Sequence, residues 1–160
     1  MMKFIYSLLG MLFLTTTLTA ADWQTTEATF QGAGISFKMP GVPEAKTTDE
    51  GFQFWKVEAD GNCYWVGIKP HTCTRLFTSA RNKVCNYFPL LTSILPEGSR
   101  VGLIEPFDAK DAVLHVSFKD PSDSLYYTSF YTNDTIVIGL ISKGNPSLHQ
   151  KFIESFTFLK

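Results

Sequence analysis

Clustered positive charge, long apolar runs and catalytic signatures are scarce in this chain. No lysine- or arginine-rich run occurs, and 14 basic against 15 acidic residues leave a formal charge of −1. Without a basic face there is no electrostatic grip on nucleic acid, nor a patch for anionic lipid. Charged residues make up 18 % of the chain and aromatics 14 %, so the chain is poorer in charge than the roughly 25 % of ordinary globular proteins. That balance describes a core-rich, ordered chain. No Gly-x-Ser-x-Gly turn appears, so the serines, histidines and aspartates present give no support to a serine hydrolase. Internal repeats and low-complexity tracts are absent as well.

An apolar run does open the sequence, from Phe4 to Leu14, after Lys3 and before the small residues Thr19-Ala20-Ala21. The order charged, apolar, small is that of a cleavable export signal. The run is too short to cross about 30 Å of hydrocarbon as a lasting helix. Thr19 and Ala21 suit the positions before the cut, with Ala20 the neighbouring option. Residues 1–21 are therefore expected to be removed, leaving residues 22–160 as a single globular domain. A domain of that size buries about two-thirds of its surface and needs no metal to fold. Loss of Lys3 moves the net charge from −1 to −2. No cysteine lies at or just after the cut, so the expectation is a periplasmic or secreted protein without lipid or stable membrane anchor.

Three cysteines in an oxidising compartment imply one disulfide and one spare thiol. Cys63, His71, Cys73 and Cys85 lack the paired ligand spacing of zinc sites, so no metal and no cofactor is expected. Cys63 and Cys73 are held apart if Cys63 to Lys69 is a strand. A helix unbroken from Cys73 would separate Cys73 from Cys85. Elimination favours Cys63–Cys85, with Cys73–Cys85 open if the helix starts near Thr78.

Strand periodicity begins at Gly34-Ile35-Ser36-Phe37-Lys38-Met39-Pro40, and the polar stretch to Asp49-Glu50 reads as a loop. Phe52 to Glu58 and Cys63 to Lys69 flank Asp60-Gly61-Asn62, a strong hairpin signal. Phe77, Ala80, Val84, Phe88, Leu91 and Leu95 recur at helical spacing, with Pro89 predicting a kink. Val101 to Ile104 is a short candidate strand. Leu114, Val116 and Phe118 alternate as a strand does, and Leu125 to Tyr131 and Thr135 to Ile141 flank a second hairpin turn at Asn133-Asp134. Gly144-Asn145-Pro146-Ser147 introduces a terminal helix carrying Leu148, Phe152, Ile153 and Phe156. Hairpins with helices between and after them predict an α+β fold, a mainly antiparallel sheet flanked by helices.

The opening Gly34-Ile35-Ser36-Phe37-Lys38-Met39-Pro40-Gly41-Val42-Pro43 and the closing Phe152-Ile153-Glu154-Ser155-Phe156-Thr157-Phe158 resemble the end motifs of Mog1/PsbP-like domains, including DcrB-type bacterial secreted proteins. The resemblance spans most of the chain after the signal and implies an α/β/α sandwich. It also implies a non-enzymatic docking or assembly role, without catalytic residues to carry over. The bacterial origin that the short signal and the resemblance imply sets aside the glycosylation acceptor Asn133-Asp134-Thr135.

His71 with Cys73 has the types of a thiol nucleophile and its base, yet no nucleophile turn or third orienting group surrounds them. Glu105, Asp108, Asp111, Asp120 and Asp123 could supply paired carboxylates or calcium ligands, but their Pro-containing settings are those of turns. The aromatics are the stronger lead. Trp55 and Trp65 on one hairpin, with Tyr126 and Tyr127 on the other, are candidate binding residues. Adjacent strand residues face opposite ways, so such pairs need either two covered faces or one exposed row. The sequence thus predicts an exported, non-enzymatic module that docks a protein or envelope component. Two alternatives stay open. One is an exported hydrolase or thiol enzyme using Cys73 and His71 or the clustered aspartates; the other is a secreted effector acting on a host.

Overall fold

A computed structural model describes residues 22–70, 91, 94–102, 112, 114–133 and 135–160. The expected signal segment, the body of the helix expected from Phe77 to Leu95, and His71, Cys73, Cys85, Glu105, Asp108 and Asp111 lie outside the described residues. The first strands are β1 (Trp23–Phe30), β2 (Ala33–Pro40), β3 (Glu44–Thr47), β4 (Gln53–Ala59) and β5 (Asn62–Pro70). Then come β6 (Arg100–Val101), β7 (Leu114–Lys119), β8 (Leu125–Thr132), β9 (Ile136–Lys143), helix α1 (Pro146–Glu154) and β10 (Thr157–Leu159).

Two antiparallel sheets result. The smaller has the order β1-β2-β10 and the larger, of seven strands, the order β3-β4-β5-β9-β8-β7-β6. The Asp60-Gly61 hairpin is present, with both residues at positive φ, 50° and 73°. That is the twist a two-residue turn needs to match its strands. Asn133 turns the β8–β9 hairpin by accepting the Thr135 and Ile136 N–H groups at 2.8 and 2.9 Å.

The helix-flanked α+β sandwich is not the fold. Of the described residues 59 % are strand and 10 % helical, with a single short helix. The sheet face that helices were expected to cover is covered instead by the smaller sheet, with α1 beside it. Here Ile35, Phe37 and Met39 of β2 and Phe152 of α1 join one buried cluster with Trp55, Tyr64, Val66 and Leu140. β1 gave no strand signal because most of Trp23-Gln24-Thr25-Thr26-Glu27-Ala28-Thr29-Phe30 is polar and partly exposed. Its register with β2, from Trp23–Pro40 to Phe30–Ala33, orders it.

The terminal helix starts as expected and stops sooner. Asn145 caps it, accepting the Ser147 N–H at 2.8 Å, and Pro146 follows where a missing N–H costs nothing. At the other end the Ser155 hydroxyl donates to the Phe152 carbonyl at 2.6 Å and accepts the Lys38 N–H at 3.0 Å. The chain therefore turns out at Ser155 and runs along β2 as β10, which takes Phe156 out of the helix. Before α1, Gly144 lies at φ 118° against Asn62, whose side chain accepts the Asn145 N–H at 3.2 Å. A Cβ at Gly144 would collide with that side chain, so this junction between hairpin and helix needs glycine.

The second face of the large sheet is buried too. Phe54, Val116, Phe118, Tyr126, Phe130, Val137 and Ile141 pack there with Leu91. Burial on both faces explains why β9 reads Ile136-Val137-Ile138-Gly139-Leu140-Ile141 without polar alternation. Thr128 lies between Val116 and Ile141 on this face. Its hydroxyl is buried and has no hydrogen-bond partner among the described residues. Thr128→Val keeps the shape and removes a desolvated polar atom. It is expected to raise stability by about 1 kcal/mol, read as a higher urea midpoint at unchanged slope.

Candidate binding cleft

Strand alternation divides the four candidate aromatics between two environments. Trp55 lies between the sheets, 9 % exposed, with its ring 5.6 Å from Phe37 in an edge-on contact. Tyr127 is buried on the same face, 5.8 Å from the His149 ring. Trp65 and Tyr126 belong to the opposite face, where their ring centroids are 6.0 Å apart. Tyr126 is buried, and its hydroxyl donates to Asp120 Oδ2 at 3.3 Å. Trp65 is half-buried and fronts open space.

That space is a cleft of about 320 Å³ at the β3–β5 end of the large sheet. Phe54 and Trp65 give it an apolar floor, Ile94 and Thr48 bound it, and Glu44, Lys46 and Lys56 supply charge. The register explains the grouping. Glu44 pairs with Lys56, Lys46 with Phe54, and Lys56 with Trp65, so these side chains all project from one face. Lys56 Nζ stands 5.9 Å from the Trp65 ring centre and 2.5 Å from Glu58 Oε1. The hydrogen bond to Glu58 raises the Lys56 pKa and lowers that of Glu58. Both stay charged at neutral pH, with the ammonium held against the indole.

Further along this face Lys143 Nζ lies 5.4 Å from the Tyr126 ring and 3.9 Å from Asp120. Cys63, opposite Lys143, is half-buried and has no disulfide partner among the described residues. Burial, and then the Glu58 charge, raises its pKa, which keeps it protonated and a poor nucleophile. Its expected disulfide partner Cys85 lies outside the described residues. Lys69 is 4 % exposed, and burial lowers its pKa.

The acids expected to be turn residues behave as such where they are described. Asp120 Oδ1 accepts the Ser122 hydroxyl and the Ser122 and Ser124 N–H groups at 2.6, 2.9 and 2.9 Å. These bonds, the hydroxyl's first, lower its pKa. Its partner in the proposed carboxylate pairs, Asp108 or Asp111, is not described. Asp123 stands at φ 64° in the same turn.

Sequence reasoning missed two groups. The polar stretch holding Glu44 and Lys46 reads as a loop, yet Glu44-Ala45-Lys46-Thr47 pairs with β4 along its whole length. His149 carries no apolar signal, yet its spacing to Phe152 and Ile153 is the spacing of the helix's buried stripe. It is completely buried, with Nε2 2.9 Å from Ser129 Oγ and Nδ1 2.8 Å from Ser142 Oγ. Ser129 Oγ also lies 2.7 Å from His115 Nδ1. This chain of hydroxyls and imidazoles fastens α1 to β7, β8 and β9. Among the described residues no helix is long and apolar enough to cross a membrane. No protein-family profile, curated protein or solved structure matches the chain.

Proposed function

We propose that this chain is an exported, non-enzymatic binding module that docks a protein or envelope component in the cleft beside β3. One observation carries the reading: Trp65 and Phe54 form an apolar floor bordered by Lys46 and Lys56. A half-buried tryptophan beside fixed charge suits a partner that inserts an apolar side chain and offers a carboxylate nearby. Resemblance to Mog1/PsbP-like domains implied a similar class of role. The helix-flanked fold it also implied is not this one, so the proposal rests on the cleft. The enzyme alternative draws on Cys73, His71, Asp108 and Asp111, all outside the described residues, and on Asp120, which is occupied in its turn.

The test is a photo-crosslinking residue at position 46, expressed in the native cell, with position 151 on the exposed side of α1 as control. Position 46 is expected to capture a partner that position 151 does not. Whether that partner belongs to the envelope or to a host separates a resident module from an effector. Trp65→Ala is then expected to weaken the purified pair about 30-fold, as loss of a hot-spot tryptophan does. Equal capture at both positions, or unchanged affinity in Trp65→Ala, would overturn the reading.

A further inference from the structure

β3 is an edge strand, and among the described residues no strand pairs with its outer side. All four of its residues are exposed. Its hydrogen-bonding phase follows from one contact: Thr48 donates its N–H to the Phe52 carbonyl at 2.8 Å. Bonded and non-bonded pairs alternate along an antiparallel ladder. The inward-bonded residues of β3 are thus Lys46, opposite Phe54, and Glu44, opposite Lys56. Ala45 and Thr47 turn their N–H and C=O groups outward.

An antiparallel strand added to this edge would need an acid opposite Lys46 and a base opposite Glu44. Read along its own direction, such a strand has the order acid, any residue, base. Glu44-Ala45-Lys46 has that order itself. The charge pattern of the edge is therefore self-complementary. We infer that β3 pairs with β3 of a second copy of this chain, antiparallel about a two-fold axis at Ala45.

In that register the two Ala45 residues exchange both backbone bonds across the axis. Glu44 faces Lys46 of the second copy on one side, and Lys46 faces its Glu44 on the other. These flanking pairs are non-hydrogen-bonded, the geometry in which Cα atoms approach to about 4.5 Å and side chains meet most closely. Each Thr47 N–H reaches the Pro43 carbonyl of the second copy. Pro43 has no N–H to return, so pairing ends there and the contact closes as a dimer. The same register brings Val42, 80 % exposed, toward Thr48 of the second copy. Two large sheets become one continuous sheet, with a Trp65 cleft on either side of the axis. So short an edge buries less than a permanent interface does, which makes the dimer transient and concentration-dependent.

Sedimentation equilibrium on the protein purified after export, from about 10 μM to about 1 mM, tests this directly. The wild type is expected to shift from monomer toward dimer across that range. Glu44→Lys and Lys46→Glu each place like charges opposite one another, and each is expected to weaken association about tenfold. Both positions are exposed, so the variants keep the fold, which circular dichroism checks. Mixing the two variants restores complementarity, and a heterodimer of wild-type strength is expected. The double exchange Glu44→Lys with Lys46→Glu is expected to dimerise as the wild type does. Trp65→Ala, which removes the cleft floor, leaves the dimer unchanged, so this result and the ligand result are read separately. A chain monomeric throughout the range overturns the inference. So does a dimer indifferent to either single exchange, or variants that fail to recover on mixing.

Discussion

Between pH 7.5 and about pH 5 the protein is expected to lose about 2 kcal/mol of folding stability through His149. The ring is fully buried between Ser129 and Ser142. As a neutral imidazole it donates one hydrogen bond and accepts another, which suits two hydroxyl neighbours. Charging it would place a cation in a buried layer packed by the Tyr127 and Phe152 rings. Burial, assisted by the nearby His115, therefore lowers its pKa from 6.5 to about 3. The sign follows from where the proton binds. The unfolded chain takes up a proton below about pH 6.5 and the folded chain does not until about pH 3. The histidine's contribution is therefore fully present above pH 6.5 and is lost progressively as pH falls toward 3. At about pH 5 the unfolded state is favoured by about 1.5 pH units of binding, which gives the 2 kcal/mol. Urea titrations at a series of pH values measure it. His149→Gln keeps a neutral polar side chain near both serines, and its stability is expected to be flatter over the same window. Parallel pH profiles for wild type and His149→Gln would show that another group carries the slope. Working above about pH 5 keeps Asp120, whose pKa its hydrogen bonds lower, ionised.

Local chemistry made several elements readable in advance. Asp60-Gly61 specifies a turn within two residues, and Asn145-Pro146 specifies a helix start, so neither depends on distant contacts. The layer that covers a sheet face is a different matter. An apolar row such as Trp55, Val57 and Tyr64, Val66 says that something must cover it, and either a helix or a second sheet would do. The choice was made by β1 and β10, whose mostly exposed side chains carry little hydrophobic pattern and whose order comes from pairing with β2. β3 was unreadable for the same reason, since Glu44-Ala45-Lys46-Thr47 is exposed throughout and is a strand only because β4 holds it. The cleft was half legible. Trp65 stood out as an aromatic, but alternation alone could not say that Trp55 would go beneath the smaller sheet and Tyr127 against α1 while Trp65 fronted a cleft. Glu44 and Lys46 enter that cleft only through the β3–β4 register.

Phe152→Ala is expected to cost about 3–5 kcal/mol, a large share of the 5–15 kcal/mol typical of a domain. The ring is fully buried, 5.5 Å from Tyr64, 6.3 Å from Trp23 and 6.4 Å from His149. It is therefore packed at once by the smaller sheet, the larger sheet and its own helix. A nine-residue helix has no standing of its own in water, so its docked face holds it in place. Leu148→Ala, at a half-buried position of the same helix, is expected to cost less than half as much. The two buried groups are also coupled. Removing the Phe152 ring opens space against His149, and water or a relaxed backbone there lessens the penalty for charging the imidazole. Phe152→Ala should accordingly lose less stability than wild type between pH 7.5 and about pH 5, although it is weaker at every pH. A pH slope that survives Phe152→Ala unchanged would mean that His149 is kept neutral by its serines rather than by the apolar packing around it.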